Sequence, residues 1–520
     1  MGDWLEDRLL QAAGSVIDGW AWLSGKASAA VVNRAVGITR NRPHPWSSLS
    51  DYTSWQGLTD RSYLARHLPP VDVPVQPAPE KVRALFARAA GKPLLSPKST
   101  CLFPAFAQYL TDGFLRTRPD NVARTTSNHE IDLCTLYGRT PEQTLALRLR
   151  SAAPGQRGRL KSRIAGGEEF SPFLYKPGTK ELTDPAFAAL DPPLVDENLP
   201  PAKRDTLFAV GGDRVNSTPF TAMMNTLFLR EHNRIAGELE ARNPAWDDER
   251  IFQVARNITI PIFIKIVVEH YINHITPLPF ALRADPSCCW DAPWNRPNWM
   301  TVEFSLLYRW HSLMPDAIAW PAGALAAQHD IPISDFLQDN RPLLTVGLDA
   351  AFSGASSQAA GELGALNTAA ALLHIEDRAV IQARRNRLAT YNAYRVAFGM
   401  DRAISFDDIT RNPALAAMLE DLYGEPDHVE FYPGLMAEDR VEDSPLPGLL
   451  LRMVAVDAFS QALTNPLLSE HVWNERTFTP WGFDLIARTS KLGDILARNV
   501  QHRGPTPIEM TRPGWSYSDN

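Results

Sequence analysis

The sequence predicts an all-α protein, and three observations carry that reading. Long stretches repeat apolar residues at helical spacing, strand-like alternation is nearly absent, and start and stop residues bracket the longest stretches. With 520 residues, 44% hydrophobic and 21% charged, the chain can bury a large core of ordinary composition. A formal charge of -7 argues against general affinity for nucleic acid or anionic lipid, which both reward a basic face. Cys101, Cys134, Cys288 and Cys289 are sparse and form no metal-binding spacing, so reduced thiols are expected. No run of about 18 apolar residues is present, so no membrane-spanning helix is expected.

Residues 3–38 read as one or more helices. Trp4, Leu5, Leu9, Leu10, Val16, Ile17, Trp20, Trp22 and Leu23 leave an apolar and a polar surface. Such a segment either packs on its own domain or lies in a membrane interface. The beginning of the chain lacks a secretory pattern, and Glu6 stands where myristoylation wants Ser or Thr. These features predict a cytoplasmic protein or one peripheral on the inner face of a membrane. Prolines crowd residues 41–100, which favours extended chain. A helix is expected at 101–118, and 151–205 reads as a long irregular connection. The strongest helices are 220–242 and 248–275, joined by ARNPAWDD, in which Asp247 is placed to cap the second. Others are expected at 299–314, 360–373, 376–398, 406–422 and 447–463.

Chemistry concentrates in a few of these helices. TLFLREHNRIAGEL packs Arg230, Glu231, His232, Asn233 and Arg234 among apolar residues, so a buried hydrogen-bonded network is implied. Such a network either stabilises the helix through ion pairs or acts in catalysis. LLYRWHSLMP sets Tyr308 and His311 three apart, on one face if the segment is helical. A lone His among apolar residues is either a satisfied core histidine or a metal or haem ligand. FAQYLTDGFLRT places Gln108 and Asp112 four apart, so both can address one cavity.

The same segments carry a family resemblance. TLFLREHNRIAGELEARNPAWDDERIFQVARNITIPIFIKIVVEHYI is similar to the long helical pair of animal haem peroxidases and cyclooxygenases. EFSLLYRWHSLMPD resembles the cyclooxygenase segment with the radical tyrosine and the proximal histidine, and FPAFAQYLTDGFLRT resembles the distal haem helix. SNHEIDLCTLYG, VEFYPGLMAED, VDAFSQALTNPLLS and DYTSWQGLTDRSYLARHLPPV add further matches in order, from about residue 34 to residue 485. The resemblance implies a single large, mainly helical haem-peroxidase-like catalytic domain over 41–520, behind an amphipathic helical segment over 1–40.

Residue by residue, it implies that His311 is the axial ligand of the haem iron. Tyr308 would be the tyrosine whose radical abstracts hydrogen from a fatty acid. Tyr271 would buttress Tyr308, and Tyr432 would contact the proximal side of the haem. Ser460 would line the substrate channel, and Arg34 would grip the substrate carboxylate. Gln108 matches the distal glutamine and Arg214 the distal arginine of the peroxidase branch.

The departures are equally specific. Asp112 stands at the spacing of the family's distal histidine. Its ordinary pKa of about 3.9 makes it a weak base near neutrality, so it either takes over the proton relay with Arg214 or merely binds that arginine. Thr111 and Ser217 replace the carboxylates that tie haem covalently in the peroxidase branch, so noncovalent haem b is expected. Gly113 replaces a calcium ligand, which makes calcium unlikely, and Leu278 replaces a tyrosine that helps grip the carboxylate. The expected function is a haem-dependent oxygenase that adds O2 to an unsaturated fatty acid or similar lipophilic substrate, with peroxide as activator. The alternatives are a peroxidase oxidising small molecules at the haem edge, and a haem-binding protein with impaired catalysis.

Overall fold

In the computed structural model, which describes residues 21–38, 44–89, 92–118, 120–321 and 329–518, the expected helix pair forms the centre of the molecule. The principal helices are α1 (Ala21–Gly37), α2 (Leu102–Phe114), α3 (Pro219–Arg242), α4 (Asp248–Ile275) and α5 (Phe304–Leu307). They continue with α6 (Arg341–Ser357), α7 (Leu373–Arg385), α8 (Tyr391–Ala397), α9 (Pro413–Tyr423), α10 (Phe431–Ala437), α11 (Gly448–Leu463) and α12 (Leu492–Asn499). Strands among the described residues form only short two-stranded antiparallel ribbons, one of them β1 (Leu95–Thr100) with β2 (Ala359–Gly361).

Helix α3 is buried on nearly every side and packs against α2, α4, α6 and α12. Thr218 caps it through a reciprocal bond with Thr221, and Asp247 caps α4 by accepting from the Arg250 amide at 2.8 Å. Within α4, Val267–Ile272 widens into a π turn, which changes the phase of the residues beyond it, Tyr271 included. Among the described residues α4 alone is long and apolar enough to cross a membrane by length and composition, and most of its apolar stretch lies inside the protein.

The described part of the amphipathic segment, α1, buries Ser24, Ser28, Val32 and Val36 and packs on α11. Asn33 ties it to residues further along the chain, donating to the Cys288 carbonyl at 3.1 Å and accepting from the Trp294 indole at 2.9 Å. Residues 3–20 of the expected helices lie outside the described residues.

Several expected helices are shorter or divided. The one read over 299–314 stops at Leu307. Tyr308 (φ -103, ψ 27) and Trp310 (φ -100, ψ 41) leave the helical region, and a 3-10 turn, His311–Leu313, follows. Met314 must be extended because it precedes a proline. Tyr308 and His311 therefore do not share a helical face. Residues 360–373 hold β2 and a single 3-10 turn, with Gly364 at φ 146, a conformation open to glycine alone. The stretch 376–398 divides at Arg387 (φ 50) into α7 and α8, and Pro413 begins α9 where 406–422 was expected to be continuous. The expectation missed α6, α10 and α12.

The polar cluster of α3 is a packing device. Glu231, with no exposed surface, accepts from Arg234 at 2.8 Å, from Arg498 at 2.8 Å and from Asn499 at 2.7 Å, so it anchors α12. His232 donates from Nε2 to the Gly158 carbonyl at 2.9 Å and accepts at Nδ1 from Tyr137, while burial pushes its pKa down to about 3. It is therefore a neutral strut. Burial alone would raise the Glu231 pKa, but Arg234, Arg498 and Asn499 outweigh it and hold the carboxyl below its usual range. Its contribution is thus present above the ordinary glutamate pKa and fades as pH falls through the lowered one. Glu231→Ala should destabilise the chain at pH 7 by about 3–5 kcal/mol, because it leaves buried cations unpaired. Urea unfolding of both proteins measures this, and an unchanged midpoint would remove the network from the account of the core.

Candidate functional site

The link between α5 and the following turn sets His311 in place. Arg88 reaches the Ser312 and Met314 carbonyls at 3.3 and 2.8 Å, and the Asn367 amide donates to Ser312 at 3.3 Å. Gly361 of β2 lies so close that a Cβ there would sit 2.2 Å from the Ser312 carbonyl oxygen. Held this way, His311 places Nδ1 3.2 Å from Glu376 of α7. A carboxylate accepts only, so Nδ1 carries the proton and Nε2 keeps its lone pair. Glu376 also accepts from Thr368 at 3.0 Å and from the Tyr432 hydroxyl of α10. The Tyr432 oxygen also lies 3.4 Å from the Arg309 carbonyl, but its single proton goes to Glu376, through which it acts on His311. Burial, then the Glu376 charge, pushes the Tyr432 hydroxyl pKa well up.

The opposite wall comes from α2. Gln108 and Asp112 lie one helical turn apart, as the spacing predicts, and Gln108 keeps accessible surface in an otherwise buried stretch. Asp112 is only 4% exposed, and its Oδ2 has no hydrogen-bond partner. Burial raises its pKa to about 7, with Arg214 and then Arg116 pulling the other way across Asp213. No ion pair within 4 Å joins Asp112 to Arg214 among the described residues. Arg214 instead donates to the Leu115 carbonyl at 3.0 Å. The Thr111 hydroxyl donates to its own helix at Gln108 O, and Gly113 O accepts from Cys134.

Between these walls lies an aromatic cluster. Tyr308 meets Phe304 edge to face at 4.9 Å and stacks on Trp310 at 4.8 Å. Trp310 stacks in turn near Tyr271 at 6.4 Å, with Phe103 packed on both. Neither the Tyr308 nor the Tyr271 hydroxyl makes a well-aligned hydrogen bond. Burial pushes the Tyr308 pKa up, the facing Tyr271 hydroxyl eases it, and the Asp457 charge adds to it. Asp457 stands one turn before Ser460 on α11, which packs on α5, and His67 holds Asp457 at 2.9 Å. Ser460 is fully buried and donates to the Asp457 carbonyl at 3.1 Å.

Tyr308 and Tyr271 thus share one aromatic cluster with Phe103 of α2, His311 and Tyr432 share Glu376, and Asp112 of α2 has the Arg214 charge nearby. Arg34 is not among them. It is exposed on α1, on the face opposite Val32 and Val36. Sequence reading missed Glu376, Arg88, Asn367 and the link residues Arg309 and Trp310. Glu376 left one signal, a carboxylate within the apolar repeat LLHIEDRAV, and a histidine ligand needs such a partner.

Comparison with known proteins follows the same outline. A profile described as animal haem peroxidase matches residues 114–510. Prostaglandin G/H synthase 1 of Rattus norvegicus is 30% identical over 501 residues, covering 93% of this chain and 79% of that protein. The structure of peroxidase A from Dictyostelium discoideum superposes with a TM-score of 0.70 at 18% identity, covering 90% of this chain and 99% of that one. Fatty acid alpha-dioxygenase from Arabidopsis thaliana gives 0.68 at 16% identity, covering 98% and 96%.

The Asp112 geometry has a consequence for stability. Its folded pKa of about 7 exceeds the unfolded value, so the folded state holds the extra proton and loses stability as pH rises from about 4 to 7. Asp112→Asn, which cannot ionise, should escape that loss. In the haem-free chain it should exceed wild type at pH 8 by something on the order of 4 kcal/mol and match it near pH 4. Denaturant unfolding at both pH values tests this, and a parallel pH profile for the two proteins would contradict it.

Proposed function

The chain belongs to the animal haem peroxidase family and is an oxidoreductase, and from that premise we propose a haem-dependent oxygenase in which Tyr308 takes hydrogen from a lipophilic substrate, an unsaturated fatty acid or similar. The observation that carries this reading is the buried Tyr308 hydroxyl. It makes no well-aligned hydrogen bond, faces the Tyr271 hydroxyl, stands three residues from His311 and is stacked on Trp310. The names of the similar proteins, a prostaglandin synthase and a fatty acid alpha-dioxygenase, support the substrate class.

The residues present fit noncovalent haem b. Tyr308, Arg309 and His311 have protein around them yet keep accessible surface, as residues bordering an internal space do, and Gln108 and Arg214 do the same from the other wall. His311 would hold the iron through Nε2, with Glu376 fixing its tautomer and strengthening it as a donor. Thr111 and Ser217 offer no carboxylate for a covalent link. Haem, when bound, would supply the redox centre through which peroxide removes an electron from Tyr308, whose phenolic proton leaves with it. Asp112 Oδ2 would accept and return the proton that peroxide chemistry moves, and a pKa of about 7 suits that task far better than an ordinary carboxylate. Arg214 and Gln108 would stabilise negative charge beside it.

The oxidised Tyr308 takes a hydrogen atom from a substrate C–H, so that bond breaks and the phenolic O–H forms. O2 then adds to the carbon radical, and the peroxyl radical recovers a hydrogen atom from Tyr308. Burial serves this cycle by excluding water and stray reductants. Contact of the N-terminal segment with the inner face of a membrane would deliver such a substrate, and the amphipathic pattern of residues 3–23 supports it. A second reading, oxidation of small molecules at the haem edge, draws on the same poised Asp112 but gives Tyr308 no role.

His311→Ala should abolish haem retention, read from the Soret band, while acid-acetone should extract all haem from wild type. Retained stoichiometry in the variant, or haem left on the protein after extraction, would contradict the ligand or the noncovalent link respectively. Tyr308→Phe should keep the Soret band and abolish oxygen uptake with fatty acid. Stability should change little, because the lost hydroxyl makes no well-aligned hydrogen bond. Undiminished uptake by that variant would transfer the function to the haem edge.

A further inference from the structure

Arg309 occupies the non-helical link between Tyr308 and His311, where neither the helix before it nor the turn after it uses its side chain. Its guanidinium is aimed by a fixed amide. Nη2 donates to Gln382 Oε1 at 2.9 Å, and Gln382 Nε2 is itself tied to Ser305 Oγ at 2.8 Å. Nε is buried and has no acceptor. Among the described residues no carboxylate lies within 4 Å of this cation. Glu376, a buried anion whose charge favours the guanidinium, already serves His311, Thr368 and Tyr432. Arg214, from the opposite wall, is close enough to disfavour the Arg309 charge further.

A buried guanidinium with a spare donor and a like charge nearby is costly unless an anion completes it. The side chain keeps some accessible surface, as His311 two residues on does, so an anion can reach it. A carboxylate is the natural partner, because its two oxygens match the fork of N–H donors. Two carboxylates could reach Arg309, a haem propionate or the acid group of a fatty acid. Arg309 is fixed to the backbone that carries the iron ligand, so its distance from the iron is set and favours the group attached to the macrocycle.

We infer that Arg309 binds a propionate of the haem, on the side of the macrocycle held by His311. This rests on the haem-binding reading above. The pairing would neutralise Arg309 and fix the rotation of the ring about the His311–iron axis, which in turn fixes the haem edge presented to Tyr308.

The test uses the full chain, prepared without haem and titrated with haem and with haem dimethyl ester, which lacks the two charges. Wild type should bind haem about tenfold or more tighter than the diester. Arg309→Leu should lose about tenfold in haem affinity and none in diester affinity, bringing the preference to roughly threefold or less. Arg309→Lys keeps the charge without the fork and should fall between. Arg309→Gln retains polar packing and gives the same readout if the leucine variant folds poorly by circular dichroism. A preference that survives in folded Arg309→Leu or Arg309→Gln would overturn the inference, and a raised KM for fatty acid in that same variant would assign the arginine to the substrate acid instead. Failure of wild type to bind either porphyrin would overturn the haem reading itself.

Discussion

The contact between His311 and Glu376 is the constraint on which the rest of the site depends. A histidine can offer Nε2 to a metal only if the ring is held in one tautomer and one orientation, and the Glu376 carboxylate does both from 3.2 Å. That carboxylate is held in turn by Thr368 from a loop and Tyr432 from α10, so separate pieces of chain converge on one imidazole. The backbone around His311 is pinned independently by Arg88, Asn367 and the close approach of Gly361. Movement of α7 or α10 would therefore be felt at His311 first.

The opposite wall has reached a similar end by different chemistry. A histidine titrates near neutrality without help, whereas an aspartate does so only when its charged form is penalised. Burial in the last turn of α2 supplies that penalty, and the absence of a direct Arg214 ion pair leaves it largely uncancelled. Of the two roles open to Asp112 on sequence grounds, the structure thus disfavours the simple ion pair with Arg214. The cost of holding a near-neutral carboxyl inside the core is borne elsewhere, by the dense packing of α2, α3 and α4.

Polar residues in this core divide into those fully satisfied and those left open. Glu231, His232 and Asn233 meet partners at every turn and serve α3 as struts. Asp112 Oδ2, Arg309 Nε, the Trp310 indole and the Tyr308 and Tyr271 hydroxyls are buried without one. Native interiors leave few such atoms, and these five lie on α2, on α4 and on the link from Tyr308 to Trp310.

The sequence by itself determined the helical class, the central pair α3–α4 and the one-turn spacing of Gln108 and Asp112. Each of these is written locally, as apolar repeats, caps such as Thr218 and Asp247, or a four-residue spacing such as Gln108 to Asp112. Family resemblance then named His311 and Tyr308, because short ordered segments survive where overall identity has fallen. Tertiary structure alone decided the break at Tyr308, the partner of His311 and the pKa of Asp112. The helix read over 299–314 fails because Tyr308 and Trp310 are drawn into an aromatic cluster with residues of α2 and α4, a gain that exceeds the local preference to continue. Glu376 lies 65 positions from His311 and Arg88 more than 220 from Ser312, so no periodicity links them. A pKa is likewise a property of surroundings rather than of a residue type, and the surroundings of Asp112 exist only once α2 is packed inside the fold.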